Sequence, residues 1–159
     1  MQRYRIGFGY DIHRLSEGES LVLGGIKIEY YKGTVAHSDG DVLVHAICDA
    51  LLGAANMGDI GKHFPDNDAD YKNIDSCILL KKTCELIRGK GFEIGNIDCT
   101  LSLQNPKIAP FIESMQEKIA QVLGIDTDNV SVKATTAEKL GFVGREEGVE
   151  AFATVLIYK

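Results

Sequence analysis

Apolar positions recur along this chain in two rhythms. Strand-like runs occupy residues 4–13, 20–30, 92–104, 130–135 and 151–158, the last marked by Phe152, Val155 and Ile157. Glu17-Gly18 and Tyr31-Lys32-Gly33 supply turn signals on either side of the second run. Three other stretches carry helical spacing. The first, 39–57, holds Val42, Leu43, Val44, Ile47, Leu51 and Leu52 and is apolar nearly all round, which predicts a buried helix. The second, 75–90, sets Ile78, Leu79, Cys84, Leu86 and Ile87 on a stripe and ends in the basic, glycine-punctuated Arg88-Gly89-Lys90-Gly91. The third, 110–123, spaces Ile112, Met115, Ile119, Val122 and Leu123 helically and stops at Gly124. Strands interleaved with helices, with antiparallel-looking edges, predict an α+β fold in which helices cover one sheet.

At 159 residues the chain is one domain by length, 1–159, with room for a sizeable core. The net charge of −6 argues against a nucleic-acid partner, since such binding rests on a basic surface. A phosphorylated small molecule stays open to it if metal ions and backbone N–H groups supply positive potential. No apolar run reaches membrane-spanning length, and the first residues carry neither a signal core nor a transit pattern, so a cytoplasmic location is expected. The four cysteines (Cys48, Cys77, Cys84 and Cys99) form no C-x-x-C pair and read as buried thiols. Cys48 stands three residues beyond His45 and reads as helix packing rather than as a ligand.

The chemistry gathers in a few places. Successive strand residues alternate faces, so Asp11 and His13 point the same way. With His45 they make two imidazoles and a carboxylate, a zinc set that leaves the fourth position open. On the first helix Asp41, His45 and Asp49 share a stripe, where a carboxylate neighbour would orient the imidazole. A hydrogen-bonded core histidine is the competing reading for His45. Ser38 with Asp41 has capping-box spacing just after His37, and the same position presents N–H groups to an anion. Residues 133–142 follow a strand, with Thr135 and Glu138 again at capping-box spacing. There Lys133 and two hydroxyls would cradle phosphate, or Glu138 would bind a hard cation. Asp66-x-Asp68-x-Asp70 invites a calcium loop, but Tyr71 and Cys77 fall where Gly and Glu are needed. The surrounding 59–70 segment is equally a substrate-covering loop or a solvated turn. Gly7-x-Gly9 lacks the third glycine and following helix of a dinucleotide turn.

Four ordered motifs then combine: Gly7-Phe8-Gly9-Tyr10-Asp11-Ile12-His13; Ala36-His37-Ser38-Asp39-Gly40-Asp41 with His45; Gly58-Asp59-Ile60-Gly61 with Phe64-Pro65-Asp66; and Lys133-Ala134-Thr135-Thr136 with Glu138-Lys139-Leu140-Gly141-Phe142 and Arg145. Across essentially its whole length the chain resembles the 2-C-methyl-D-erythritol 2,4-cyclodiphosphate synthase family of the non-mevalonate isoprenoid pathway.

The resemblance implies a mixed β-sheet packed against helices, in a homotrimer with active sites at the subunit interfaces. It implies cyclisation of 4-diphosphocytidyl-2-C-methyl-D-erythritol 2-phosphate with loss of CMP, an intramolecular phosphoryl transfer that needs no protein nucleophile. Asp11, His13 and His45 match zinc ligands, and Glu138 the contact to a second cation, Mg2+ or Mn2+. His37 and Thr136 match transition-state stabilisers. Substrate-binding positions map to Asp11, His13, His37 and Ser38, to Asp59, Ile60 and Gly61, and to the flexible stretch Phe64, Pro65, Asp66, Asn67 and Asp68. The cytidine side maps to Leu103, Gln104, Asn105, Pro106, Lys107, Ile108 and Ala109 of a neighbouring protomer, with Ala134 and Thr135, and further substrate-binding positions map to Thr136, Ala137, Glu138, Phe142 and Arg145. Phe142 and Arg145 match residues around a cavity on the trimer axis. The alternatives are a zinc-dependent phosphohydrolase on the same scaffold, or a metal-binding module without turnover.

Overall fold

The computed structural model describes residues 3–65 and 69–159, so the expectations for Asp66, Asn67 and Asp68 lie outside the described residues. Seven strands form among the described residues: β1 (Tyr4–Glu17), β2 (Leu21–Leu23), β3 (Ile26–Ile28), β4 (Lys32–Val35), β5 (Glu93–Ser102), β6 (Val130–Thr135) and β7 (Gly148–Tyr158). The helices are α1 (Val42–Ala54), α2 (Ile60–His63), α3 (Ser76–Gly89), α4 (Ile112–Leu123) and α5 (Gly141–Gly144), with short 3-10 turns at Ala69–Tyr71, Ala109–Phe111 and Thr127–Asn129.

The main sheet has the order β4-β1-β7-β5-β6. Only β5 and β6 run parallel, so the sheet is mixed. α1 lies across β1 at unusually short range. A Cβ on Gly7 would stand 1.9 Å from the Ala50 carbonyl oxygen, and one on Gly9 would stand 1.8 Å from that of Ala46. Gly7-x-Gly9 is therefore a helix-to-strand contact motif, which leaves only backbone between α1 and the sheet. Ten of the thirteen residues of α1 are buried, from Val42 to Ala54, as its all-round apolarity predicts. α3 and α4 continue the layer, and α4 ends at Gly124 in the left-handed region at φ 64°, a glycine stop.

The opposite face of the sheet is open. Tyr4, Ile6, Phe8, Tyr10 and Ile12 alternate along β1 and are all exposed, Ile6 by 73% and Phe8 by 64%.

Four expectations give way. The 20–30 run is not one strand but the hairpin β2–β3, broken at Gly24-Gly25, where both residues have positive φ. The Asp41 carboxylate holds this turn, accepting from Gly24 N at 2.9 Å and Gly25 N at 2.6 Å. Asp41, not Ser38, is also the N-cap of α1, accepting from Val44 N at 3.1 Å. The capping box at Ser38 therefore fails. So does the one at Thr135, because Glu138 and Lys139 adopt left-handed φ values of 50° and 63° and no helix starts before Gly141. On α3, Ile78 is 46% exposed, and the buried stripe is Cys77, Leu80, Cys84 and Ile87 with Leu79 and Thr83.

Candidate active site

Asp11 and His13 lie on the helix-covered face near the end of β1, and His45 meets them from the first turn of α1. The Nδ1 atoms of His13 and His45 each stand 3.1 Å from Asp11 Oδ2. The two imidazole centroids are 5.3 Å apart, and one ligand atom from each of the three residues falls within 4.8 Å of the others. His13 Nδ1 is buried yet finds no hydrogen bond of acceptable geometry, despite its closeness to the carboxylate. A shared cation satisfies such an arrangement: a buried nitrogen, a second imidazole and a carboxylate converge on one point. The residues present fit a divalent metal.

Local electrostatics favour that role. Burial alone would raise the Asp11 carboxyl, but His13 and His45 beside it outweigh this and hold it down at about 2. It is a full anion at any neutral pH. Burial pulls the His45 imidazole down, while the hydrogen bond and charge of Asp11 pull it up and prevail. The orienting partner expected on α1 is not found there. Asp41 faces the Gly24-Gly25 turn, and Asp49 accepts from Ile60 N at 2.7 Å to hold the start of α2. Instead His45 Nε2 meets Ser76 Oγ at 2.8 Å and Ser38 Oγ at 3.3 Å. Cys48 is fully buried and burial pushes its thiol well up, so it is packing, as expected.

The three residues open into a cavity of 360 Å³ that also takes in His37, Ser38, Ile60, Phe64 and Tyr71. Asp59 caps α2, accepting from Lys62 N at 2.9 Å, and Gly61 follows on the same turn. The 59–63 stretch is therefore an ordered helical turn rather than a loop. Phe64 is buried against Tyr71 in an edge-on contact at 5.6 Å, while Pro65 is exposed. No sequence motif singles out Tyr71, which the structure places in the cavity wall.

A second cleft of 170 Å³ lies at the β5–β6 edge of the sheet. Leu103, Gln104, Pro106, Lys107, Ile108 and Ala109 line it together with Ala134, Thr135 and Thr136. Asn105 turns away and donates to Glu146 Oε1 at 2.5 Å. Thr136 Oγ1 donates to Glu138 Oε1 at 3.2 Å, next to the half-buried Ala137. Lys133 is not part of a phosphate cradle, since its ammonium pairs with Asp98. Phe142 packs beside Gly148, and Arg145 is held by both oxygens of Glu147 at 2.9 and 3.1 Å.

The two clefts do not merge. Ile12 pairs with Glu150, Glu150 with Ser102 and Ser102 with Thr135, so three strand spacings separate the sites. That is ~14 Å at the usual interstrand distance. Glu138 accordingly does not join the Asp11–His13–His45 cluster within the chain.

A mixed sheet covered by helices on one face, with a two-histidine, one-carboxylate centre able to hold a metal ion and opening into a cleft, is the architecture of an enzyme site. The chain belongs to the YgbB family, whose pattern matches residues 4–158. It is 64% identical over 155 residues to the 2-C-methyl-D-erythritol 2,4-cyclodiphosphate synthase of Bacteroides fragilis, covering 98% of each chain. Among solved structures it resembles the bifunctional IspDF of Campylobacter jejuni, with a TM-score of 0.96 and 44% identity over 99% of this chain but only 43% of that longer one. It also resembles a CDP complex of Plasmodium falciparum IspF, with a TM-score of 0.85 and 41% identity, covering 97% of this chain and 95% of that one.

Proposed function

We infer that this chain converts 4-diphosphocytidyl-2-C-methyl-D-erythritol 2-phosphate into 2-C-methyl-D-erythritol 2,4-cyclodiphosphate and CMP, as a phosphorus–oxygen lyase of isoprenoid precursor synthesis. The observation that carries the reading is the Asp11–His13–His45 centre at the mouth of its cavity, in a chain of this family. An oxygen of the 2-phosphate forms a bond to the β-phosphorus. The bond from that phosphorus to the bridging oxygen breaks, and its electron pair leaves with CMP. Such a reaction asks the protein for alignment and charge neutralisation rather than for a nucleophile.

Asp11, His13 and His45 would hold zinc, and Glu138 would contact Mg2+ or Mn2+; bound there, the cations neutralise phosphate charge. His37 and Thr136 act as hydrogen-bond donors where charge grows in the transition state. Asp59, Ile60, Gly61 and Phe64 hold the methylerythritol end beside the metal, with Ser38 at the rim. The Leu103–Ala109 loop and Ala134–Thr136 take the cytidine. The CDP-bound relative supports a nucleotide in such a pocket. Relatives named as synthases leave the phosphohydrolase alternative without support.

A homotrimer belongs to this reading for two physical reasons. The ~14 Å between the two clefts of one chain suits a site completed by a neighbour's loop. The exposed apolar row on β1 is the kind of surface a second copy covers. No helix among the described residues is long and apolar enough to cross a membrane, and the reading places the enzyme in the cytoplasm.

Metal removal tests the carrying observation. Protein stripped by a strong chelator should release no CMP from substrate, and zinc added back with magnesium should restore turnover. Undiminished CMP release from protein verified as metal-free would contradict it.

A further inference from the structure

The region behind His45 holds a polar chain that the reaction, as derived above, does not use. Ser76 is the first residue of α3 and is 0% exposed. Its Oγ lies 2.8 Å from His45 Nε2 and donates a short hydrogen bond to Asp39 Oδ1. Asp39 Oδ2 accepts from the backbone N–H of the same Ser76 at 3.0 Å, so carboxylate and serine are clamped together at two points. Asp39 also accepts from Asp41 N at 3.2 Å, and its own N–H bonds Ile74 O at 3.1 Å.

The directions of these bonds follow from donor arithmetic. A serine hydroxyl has one proton. If that proton goes to the Asp39 carboxylate, Ser76 Oγ can only accept from His45, and the imidazole must carry its proton on Nε2. Nδ1, 3.1 Å from Asp11 Oδ2, is then the nitrogen left to bind the shared cation. We propose that Ser76 and Asp39 form a carboxylate–hydroxyl–imidazole relay that fixes the tautomer and ring orientation of His45 as a metal ligand, making them positioning residues for the metal centre. The proposal rests on the metal reading above; it adds Ser76, which lies outside every motif, and gives Asp39, so far only a motif position, a role of its own. Ligand histidines generally need such a partner on the second nitrogen, and its loss typically weakens metal affinity 10–100-fold.

The geometry also makes the relay a joint between distant pieces of chain. Asp39 comes from the segment leading into α1, His45 from the helix itself, and Ser76 from the start of α3. Asn73 N bonds His37 O at 2.7 Å beside it, so the segment that closes one side of the cavity ends on the same corner. The ligand ring is thereby held by the wall of the site it serves.

Two measurements on the full-length protein test this. Long-range nitrogen–proton NMR of the zinc-loaded wild type should show His45 protonated on Nε2, with Nδ1 on the metal. An Nδ1–H tautomer would overturn the proposal whatever any variant does. Zinc affinity, read by competition with a chromophoric chelator, should fall ~10–100-fold in Ser76→Ala. It should also fall in Asp39→Asn, while the wild-type circular dichroism and oligomeric state are kept. Folded variants that bind zinc as tightly as wild type would overturn the relay alone. A wild-type protein that binds no zinc would overturn the relay and the metal reading together. If one variant fails to fold, the other and the wild-type tautomer still decide the question.

Discussion

Asp41 shows how one buried carboxylate can do structural work at a catalytic fold's corner. It is fully buried, caps α1 and holds the Gly24-Gly25 turn through three backbone N–H groups. Burial nevertheless pushes its carboxyl up to about 6, against the N–H groups of Gly25, Val44 and Gly24 that favour the anion. An unfolded aspartate titrates near ~3.9. Between those values the native state holds a proton that the unfolded chain has released, so this group's contribution to stability grows as pH falls and shrinks as pH rises. Asparagine cannot titrate. Wild type should therefore gain stability relative to Asp41→Asn as the pH is lowered through that window, measured by urea unfolding at matched protein concentration. A difference that stays flat with pH would contradict the burial argument. The metal residues were legible because each sits in a regular period: Asp11 and His13 two apart on a strand, His45 on an apolar helix. Ser76 and Tyr71 were not, since their relation to His45 and the cavity depends on where a long connection returns to the fold.

Elements follow the same division. Long periodic stretches declared themselves: α1, α3, α4, β5 and β6 form within the expected regions, while β1 runs on past 13 to Glu17 and β7 starts before 151, at Gly148. Short elements did not: β4 has four residues, α2 has four, and β2 and β3 have three each. Elements that short hold only about one or two periods of pattern and are fixed by tertiary anchors such as Asp41 and Asp49. Both expected capping boxes failed for a related reason, because spacing alone does not say whether the backbone between the two residues turns helical. Gly7-x-Gly9 carried a signal that only the partner element reveals. Its glycines face Ala46 and Ala50 across the α1–β1 contact, with no room for a methyl group. Gly9→Ala would have to push two backbones apart under the most buried helix of the fold. We expect a loss of about 3 kcal/mol or more, at the upper end of overpacking costs. Thermal unfolding at matched concentration checks this, and a melting temperature within a degree or two of wild type would show that the contact yields easily.

The molecule as a whole is divided by its sheet into a packed side and an open side. Helices bury one face, while the other presents Tyr4, Ile6, Phe8, Tyr10 and Ile12 to solvent. The Asp11–His13–His45 centre on β1 and the Leu103–Thr136 cleft at the β5–β6 edge lie three strand spacings apart across the sheet, ~14 Å. The proposed assembly would reconcile both facts, covering the open faces and bringing one chain's cleft to another's Asp11–His13–His45 centre. Two inactive variants, His45→Ala and Lys107→Ala combined with a disrupted Leu103–Ala109 loop, should then complement each other after subunit exchange. Activity should return in proportion to mixed oligomers counted by native mass spectrometry. Confirmed mixed oligomers without activity would place the whole site inside one chain. Beneath assembly lies the claim that this site closes a ring. Phosphorus NMR of the products from 4-diphosphocytidyl-2-C-methyl-D-erythritol 2-phosphate tests it most directly. The account predicts two mutually coupled phosphorus signals from one cyclic diphosphate, appearing mole for mole with CMP. Linear phosphate monoesters or inorganic phosphate formed in place of the ring would contradict it.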